Sequence, residues 1–439
     1  MTDRRPFAPS PRIALAGAML LLPITLGVAS AQDAPAPAPA PAAAPEEAPE
    51  EAPLLTLDVA DCLADGTRLL LGMQESLADP AGDDAADELD AAEWPYQGVY
   101  RVRGRIPIGY RVGGTSICAT ALLETPDWIG DAARRDAVHR AAAFVCEQIE
   151  HPLMQFPYPP AYDVRGWGYA YGLDFLLRLE AAGPLPESLR DPVAAAIDFY
   201  LRGILATEVP DGGWNYALSP RRMQQAPFMT GPVLQALFRA ADSGRPVPPE
   251  VIERGLAALE SSRMTTGALV YSGAATERSR DGVPGAMGRM LAADATLALA
   301  GRGDVERLRF AVDAFFEHWN QLEKRRRQNG THVPPYGVAP YYFFYAHHAA
   351  AVAIELLPED ERPRYRAKLH DRLAAVREDD GSWNDRVFER SANYGTAMTM
   401  LALRMPETAG PTWRSPVAAA PGGAEEPAGS DAAPAPADR

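Results

Sequence analysis

Six stretches of this chain are apolar almost all the way round a helix, and each opens on a small or aromatic polar cluster. They are RVGGTSICATALLE (111–124), VRGWGYAYGLDFLLRL (164–179), PFMTGPVLQALFRA (227–240), GAMGRMLAADATLAL (285–299), YYFFYAHHAAAVAIELL (341–357) and RSANYGTAMTMLALRM (390–405). Aligned on Thr115, Gly168, Thr230, Gly288, Tyr345 and Thr396, they recur at intervals of 53, 62, 58, 57 and 51 residues. Five amphipathic stretches alternate with them, at 136–149, 190–205, 248–262, 304–327 and 362–377. Apolar residues at helical spacing with charges between them predict a one-sided helix, and uniformly apolar runs predict a helix covered on every side. Strand signals are almost absent. The pattern therefore predicts an all-α fold, an α/α toroid of about six helical hairpins with an outer ring around a buried inner ring. The inner helices then run one way and their N-termini share a rim. Converging helix ends there favour an anionic or electron-rich ligand.

The chain ends read differently. Residues 1–31 carry Arg4, Arg5 and Arg12 before the apolar run IALAGAMLLLPITLGVA, then Ala29-Ser30-Ala31. This is the pattern of a cleaved signal peptide, and Arg4-Arg5-Pro6-Phe7 resembles a twin-arginine signal. No Cys follows the cleavage site to take a lipid anchor. Residues 32–53 form a Pro/Ala/Glu linker and 415–439 a similar tail; neither composition can bury a core. The toroid domain is then 54–414. An exported protein, periplasmic or secreted, with no stable membrane span after cleavage, is the expectation. The formal net charge is −16, most of it within 54–414, which argues against nucleic acid as a partner. The basic run Lys324-Arg325-Arg326-Arg327 ends a predicted helix, where cations complement the C-terminus. Cys62, Cys118 and Cys146 are too few for a disulfide scaffold, and their spacing does not say whether two of them pair.

Asp211-Gly212-Gly213-Trp214 and Asp380-Gly381-Ser382-Trp383 are near copies, with weaker ones at EWPYQG (93–98), GWGY (166–169) and GALVY (267–271). These motifs resemble the repeat signature of squalene cyclases and the wider terpenoid-cyclase/prenyltransferase toroids, over nearly all of 58–405. The resemblance implies a structural role for Asp211, Gly212, Trp214, Asp380, Gly381 and Trp383: glycines make the turn, Asp caps it and Trp fills the joint between hairpins. The family's Gln falls on Glu208 and Arg377, so its stacking on Trp is not reproduced. The cyclase Asp-Xaa-Asp-Asp motif is absent; Arg377-Glu378-Asp379-Asp380 lacks its first Asp. No late Cys stands where the zinc prenyltransferases need one, so neither a metal nor a cofactor is expected. Asp83, Asp84 and Asp87 match a DDxxD pattern but sit in an acidic stretch that reads as a solvated loop. Cys146 and Gln148 are two apart, whereas an internal thioester of the complement-like toroids needs three.

Any ligand site should therefore lie at the inner rim. Its candidates are Asp163, Arg165, Trp167, Tyr169, Tyr171, Arg289, Tyr345, His347, His348, Asn393 and Tyr394, joined by Tyr341 and Tyr342. Aromatic walls with a few polar groups suit a pocket, and the same residues also suit helix-to-helix packing. Adjacent helical residues point about 100° apart, so His347 and His348 cannot both face one ligand. Asp163 and Asp174, eleven residues apart, are too far along a helix to act as a pair. The leading expectation is a non-cyclase binding or scaffold toroid, its cavity holding a hydrophobic small molecule or a protein segment. The alternative is an enzyme, acting on an isoprenoid or, as a carbohydrate-active α/α barrel, on a glycan.

Overall fold

A computed structural model of the protein describes residues 54–77, 90–156, 164–216, 223–330, 332, 334–337, 343–408 and 410–414. Twelve α-helices alternate between two rings. The inner ring is α2 (Ile108–Glu124), α4 (Arg165–Ala182), α6 (Pro227–Asp242), α8 (Val283–Leu299), α10 (Phe343–Glu355) and α12 (Ala392–Arg404). The outer ring is α1 (Val59–Met73), α3 (Ala132–Glu147), α5 (Glu187–Ala206), α7 (Pro249–Ser261), α9 (Val305–Arg326) and α11 (Arg362–Ala374). Each inner helix packs on the next, and α12 packs back on α2, so the ring closes. The predicted runs coincide with these helices to within a few residues. The hydrophobic pattern did not single out α1, which has no hairpin partner beside it in sequence and packs on α12 instead.

Burial follows the pattern that made the helices. Fifteen of the seventeen residues of α2 are buried, whereas α11 buries only Tyr365, Leu369 and Leu373. The only strands among the described residues, β1 (Glu75–Ser76) and β2 (Ala92–Glu93), pair antiparallel over two residues each. No helix there is long and apolar enough to cross a membrane. All three cysteines are buried and unpaired.

The Trp turns explain the joints. Trp214 donates its indole N–H to Ile204 O at 2.8 Å, on the last turns of α5, and its backbone N–H to Thr230 Oγ1 at 3.0 Å in α6. Trp383 repeats this with Leu373 O (2.9 Å) and Thr396 Oγ1 (3.1 Å), and Trp94 with Leu70 O (2.7 Å) and Thr115 Oγ1 (2.9 Å). Each Trp thus ties the end of an outer helix through its indole, and the start of the next inner helix through its backbone N–H. Gly212 and Gly381 hold φ of 87° and 89°, where a side chain is strained. GALVY is a genuine copy: Gly267 has φ 85°, and Met264, Gly267 and Ala268 repeat the backbone bonds of the 209–213 and 378–382 turns, with Leu269 in the Trp position. GWGY is not; it lies inside α4. Asp380 caps its turn by accepting from Ser382 N–H at 2.9 Å, but Asp211 takes no hydrogen bond among the described residues.

The departures from the family's Gln have found substitutes. The Arg377 guanidinium lies 5.0 Å over the Trp383 ring and holds Asp65 of α1 at 2.6 Å, which links the last hairpin to the first outer helix. Glu208 instead forks with Arg254 of α7 at 2.7 and 2.8 Å. The basic run ends α9 as expected. Arg326, almost fully buried, pairs with Glu323 and Glu378, and Arg327 also pairs with Glu378.

Candidate functional site

Among the described residues, aromatic side chains pack the rim at the inner-helix N-termini. Trp167 is surrounded by Tyr96 (5.5 Å between ring centroids), Tyr110 (5.4 Å), Tyr171 (5.1 Å) and Tyr394 (5.9 Å). Tyr345 packs on Phe228 at 4.6 Å and donates its hydroxyl to Phe228 O at 3.1 Å. Edge-to-face and tilted pairs at these distances are favourable beyond their buried area. The expected aromatic walls are therefore packed against one another among the described residues. Burial pushes the hydroxyls of Tyr345 and Tyr394 well above the usual tyrosine range.

The other candidates separate. Tyr169 points outward between α4 and α5, donating to Met154 O. Arg165, fully buried, donates to Gln155 O at 2.8 Å. Arg289 serves the GALVY turn, donating to Gly285 O and Leu269 O at 2.9 Å and to Asp281 at 3.0 Å. His347 faces the outer ring: its Nε2 accepts from Trp319 Nε1–H at 2.8 Å and its Nδ1 lies 2.7 Å from Phe343 O. Burial lowers its pKa to about 3. His348 faces the other way, into the toroid. Asp163, Tyr341, Tyr342 and the DDxxD residues Asp83, Asp84 and Asp87 lie outside the described residues.

Two spaces among the described residues are places where a ligand or water could stand. The first is a central chamber toward the C-terminal ends of the inner helices, in two joined parts of about 60 and 80 Å3. Tyr171, Asp174, Arg178, Gln235 and His348 line both parts. Asp174 accepts from Arg178 Nε and Arg239 Nε, each at 2.7 Å, and Arg178 reaches Glu124 at 2.6 Å. Burial pushes the Asp174 carboxyl up, but the two guanidinium groups outweigh it and hold it well below the usual carboxylate range. Burial lowers His348 to about 4, so its ring is neutral at pH 7. This space suits a few water molecules and is several-fold too small for a terpenoid or a sugar chain.

The second is a cleft of about 790 Å3 between the end of α1, the end of α9 and the segment 378–393 that leads into α12. Its lining is mostly polar, with Met73, Val387 and Ala392 among the charged and amide side chains. Glu75 is held by Arg390 at 2.7 Å. Burial raises Glu378, but hydrogen bonds from Arg327 and Arg326 leave it below the usual carboxylate range. Asn384 accepts from Arg326 through its backbone carbonyl at 2.8 Å, and its side-chain amide donates to Phe388 O at 3.1 Å and accepts from Ser391 Oγ at 2.8 Å. Asn393, the one rim candidate that lines the cleft, donates to Pro95 O at 3.2 Å. Arg386 donates to Gln328 O at 3.0 Å and leaves its Nε and Nη1 without partners. Asp379 and Glu389 are exposed carboxylates that no cation of the described residues holds.

Behind the cleft wall stands a residue that pattern reasoning missed. Asp385 is fully buried; one oxygen accepts from the Tyr96 hydroxyl at 3.1 Å and the other has no partner. Burial pushes it up to about 8. It follows Trp383 by two residues, and the turn motif drew attention to Asp380 rather than to it. Among the described residues no group of His, Cys, Asp and Glu is placed to hold a metal ion.

No family model matches the sequence, and no curated protein matches it. Solved structures match in fold. An α-1,6-mannanase of Salegentibacter sp. HEL1_6, solved as an inactive variant with α-1,6-mannotriose, superposes with a TM-score of 0.50 at 8% identity, covering 79% of this chain and 99% of that one. An unsaturated glucuronyl hydrolase from Bacillus sp. GL1 gives 0.49 at 13%, covering 80% and 96%. A type II terpene cyclase from Scytonema gives 0.43 at 14%, covering 80% and 98%. The protein is an α/α toroid of the architecture that such enzymes share. At these identities the likeness extends to the fold alone.

Proposed function

We propose that the protein is a carbohydrate-active toroid whose substrate, an oligosaccharide, lies in the polar cleft beside the Trp383 turn. One observation carries this reading: the ligand-sized cleft among the described residues is lined mostly by charged and amide groups, while the aromatic residues of the centre are spent on packing. Hydroxyl-rich ligands need many fixed donors and acceptors, and Asn384, Asn393 and the Arg327, Arg386 and Arg390 guanidiniums supply them. A hydrophobic ligand would take these charged and amide groups out of water without replacing the water's hydrogen bonds. Glycoside cleavage uses two carboxyl groups flanking the bond, and Asp379 and Glu389 are the cleft carboxylates left free for that work. The mannanase neighbour, solved with α-1,6-mannotriose, agrees with this choice.

Export of the protein by its first 31 residues belongs to the same reading, since it would bring the cleft to glycans outside the cytoplasm. The test is release of reducing ends from an oligosaccharide panel that includes α-1,6-mannans. Asp379→Asn and Glu389→Gln should each lower the rate by about 10²-fold or more while leaving the fold intact. Undiminished rates in both variants would remove these residues from the chemistry. A wild type that neither cleaves nor binds any oligosaccharide would overturn the reading.

A further inference from the structure

The central chamber has a roof that the chain itself supplies. After α12 the backbone turns across the C-terminal mouth of the inner ring, and buried Pro411 lines both parts of the chamber. Few interactions hold this stretch. Trp413 donates its backbone N–H to Leu299 O at 3.1 Å and its indole N–H to Glu253 at 3.3 Å, and it stacks on Phe238 with centroids 6.2 Å apart. None of these is an ion pair. Beneath the roof, the Tyr171 hydroxyl and both His348 ring nitrogens have no hydrogen-bond partner among the described residues, although they line the space. Both side chains are partly buried and face the chamber, so partners for these polar atoms come from whatever fills it. The charges around them are already matched, Asp174 to Arg178 and Arg239, and Arg178 to Glu124. A guest with net charge would enter a low-dielectric space with no free counter-charge.

We propose that residues 410–413 form a releasable plug, and that the chamber beneath is a second binding site, for a small uncharged polar molecule that meets Tyr171 and His348. The site is distinct from the cleft and lies at the opposite end of the inner helices. In the closed state it admits only water, because its two parts total far less than a ligand pocket needs. Release of the plug opens the mouth without disturbing the ring, since every inner helix keeps both of its inner neighbours.

His347 and His348 make the test specific. They are adjacent in sequence, yet His347 is locked between Trp319 and Phe343 O on the outer side while His348 lines the chamber. Labelling with diethyl pyrocarbonate at pH 7, read by tandem mass spectrometry, reports each separately. In the full chain neither should react appreciably, while exposed His332 does. In Trp413→Ala, and more so in the double variant Pro411→Gly/Trp413→Ala, His348 labelling should rise at least tenfold with His347 unchanged. Acetamide should then protect His348 in the released variant, and acetate at the same concentration should not. Reactive His348 in the full chain, unchanged labelling in both variants, or parallel rises at His347 and His348 would each overturn the plug. Equal protection by acetate, or none by acetamide, would overturn the ligand class.

Discussion

Asp385 is the side chain whose behaviour departs furthest from its sequence neighbourhood. Its folded carboxyl titrates near 8, against about 3.9 for an unfolded Asp. The folded state therefore binds the extra proton, and the group costs nothing below pH 4 but weakens the fold progressively as pH rises from 4 to 8. Asp385→Asn keeps the acceptor for Tyr96 and removes the titration. It should match or exceed wild-type stability at pH 7.5 in urea unfolding, and the advantage should vanish at pH 4. Asp385→Ala strands the Tyr96 hydroxyl and should cost about 1–3 kcal/mol. Arg377→Ala removes a stacking contact and a half-exposed ion pair, and a loss of about 1 kcal/mol is expected. Trp383→Ala opens a fully buried site and should cost about 3–5 kcal/mol. Equal losses in these last two variants would show that the ring of Trp383 is not what holds the joint.

Among the elements, the turns and helices differ in how legible they were. The 3.6-residue period and the alternation of two burial classes placed eleven of the twelve helices, because burial on one face or on all faces is written into residue type. α1 carries the same one-sided pattern but stands outside the run of sequential hairpins, because its partner is the last inner helix. The Trp turns were legible as a repeat, but the threonine that accepts from each Trp N–H was used only as an alignment marker. Thr115, Thr230 and Thr396 are the reason those anchors recur. Thr230→Val keeps the shape and deletes the acceptor. It should lower stability by about 1–3 kcal/mol, as read by chemical denaturation. A neutral effect would mean that the turn does not depend on that bond.

At the scale of the whole molecule, fold and site part company. Ring closure, the outer lacing by Arg377–Asp65 and Glu208–Arg254, and the packed aromatic centre all follow from the hairpin repeat. The site did not follow, for a physical reason. Aromatic residues suit both a wall and a core, and only their mutual distances decide; here Trp167, Tyr345 and Tyr394 are core. The cleft is assembled from α1, α9 and the approach to α12, stretches about 250 residues apart or more for its first wall, and its side chains are ordinary surface types in the sequence. The expected export signal predicts a mature N-terminus at Gln32, which mass spectrometry of protein from its own host would read directly; an intact Met1 would count against export.

The central claim is that the ligand is a carbohydrate in the polar cleft and not a hydrophobic molecule in the toroid centre. Native mass spectrometry of the protein, purified from its own host and then mixed with oligosaccharides, separates the two most directly. The account predicts a saturable adduct spaced by whole sugar residues, weakened when Asn384 and Arg390 at the cleft are replaced by alanine. A co-purifying lipid, with no oligosaccharide adduct at any concentration, would contradict it.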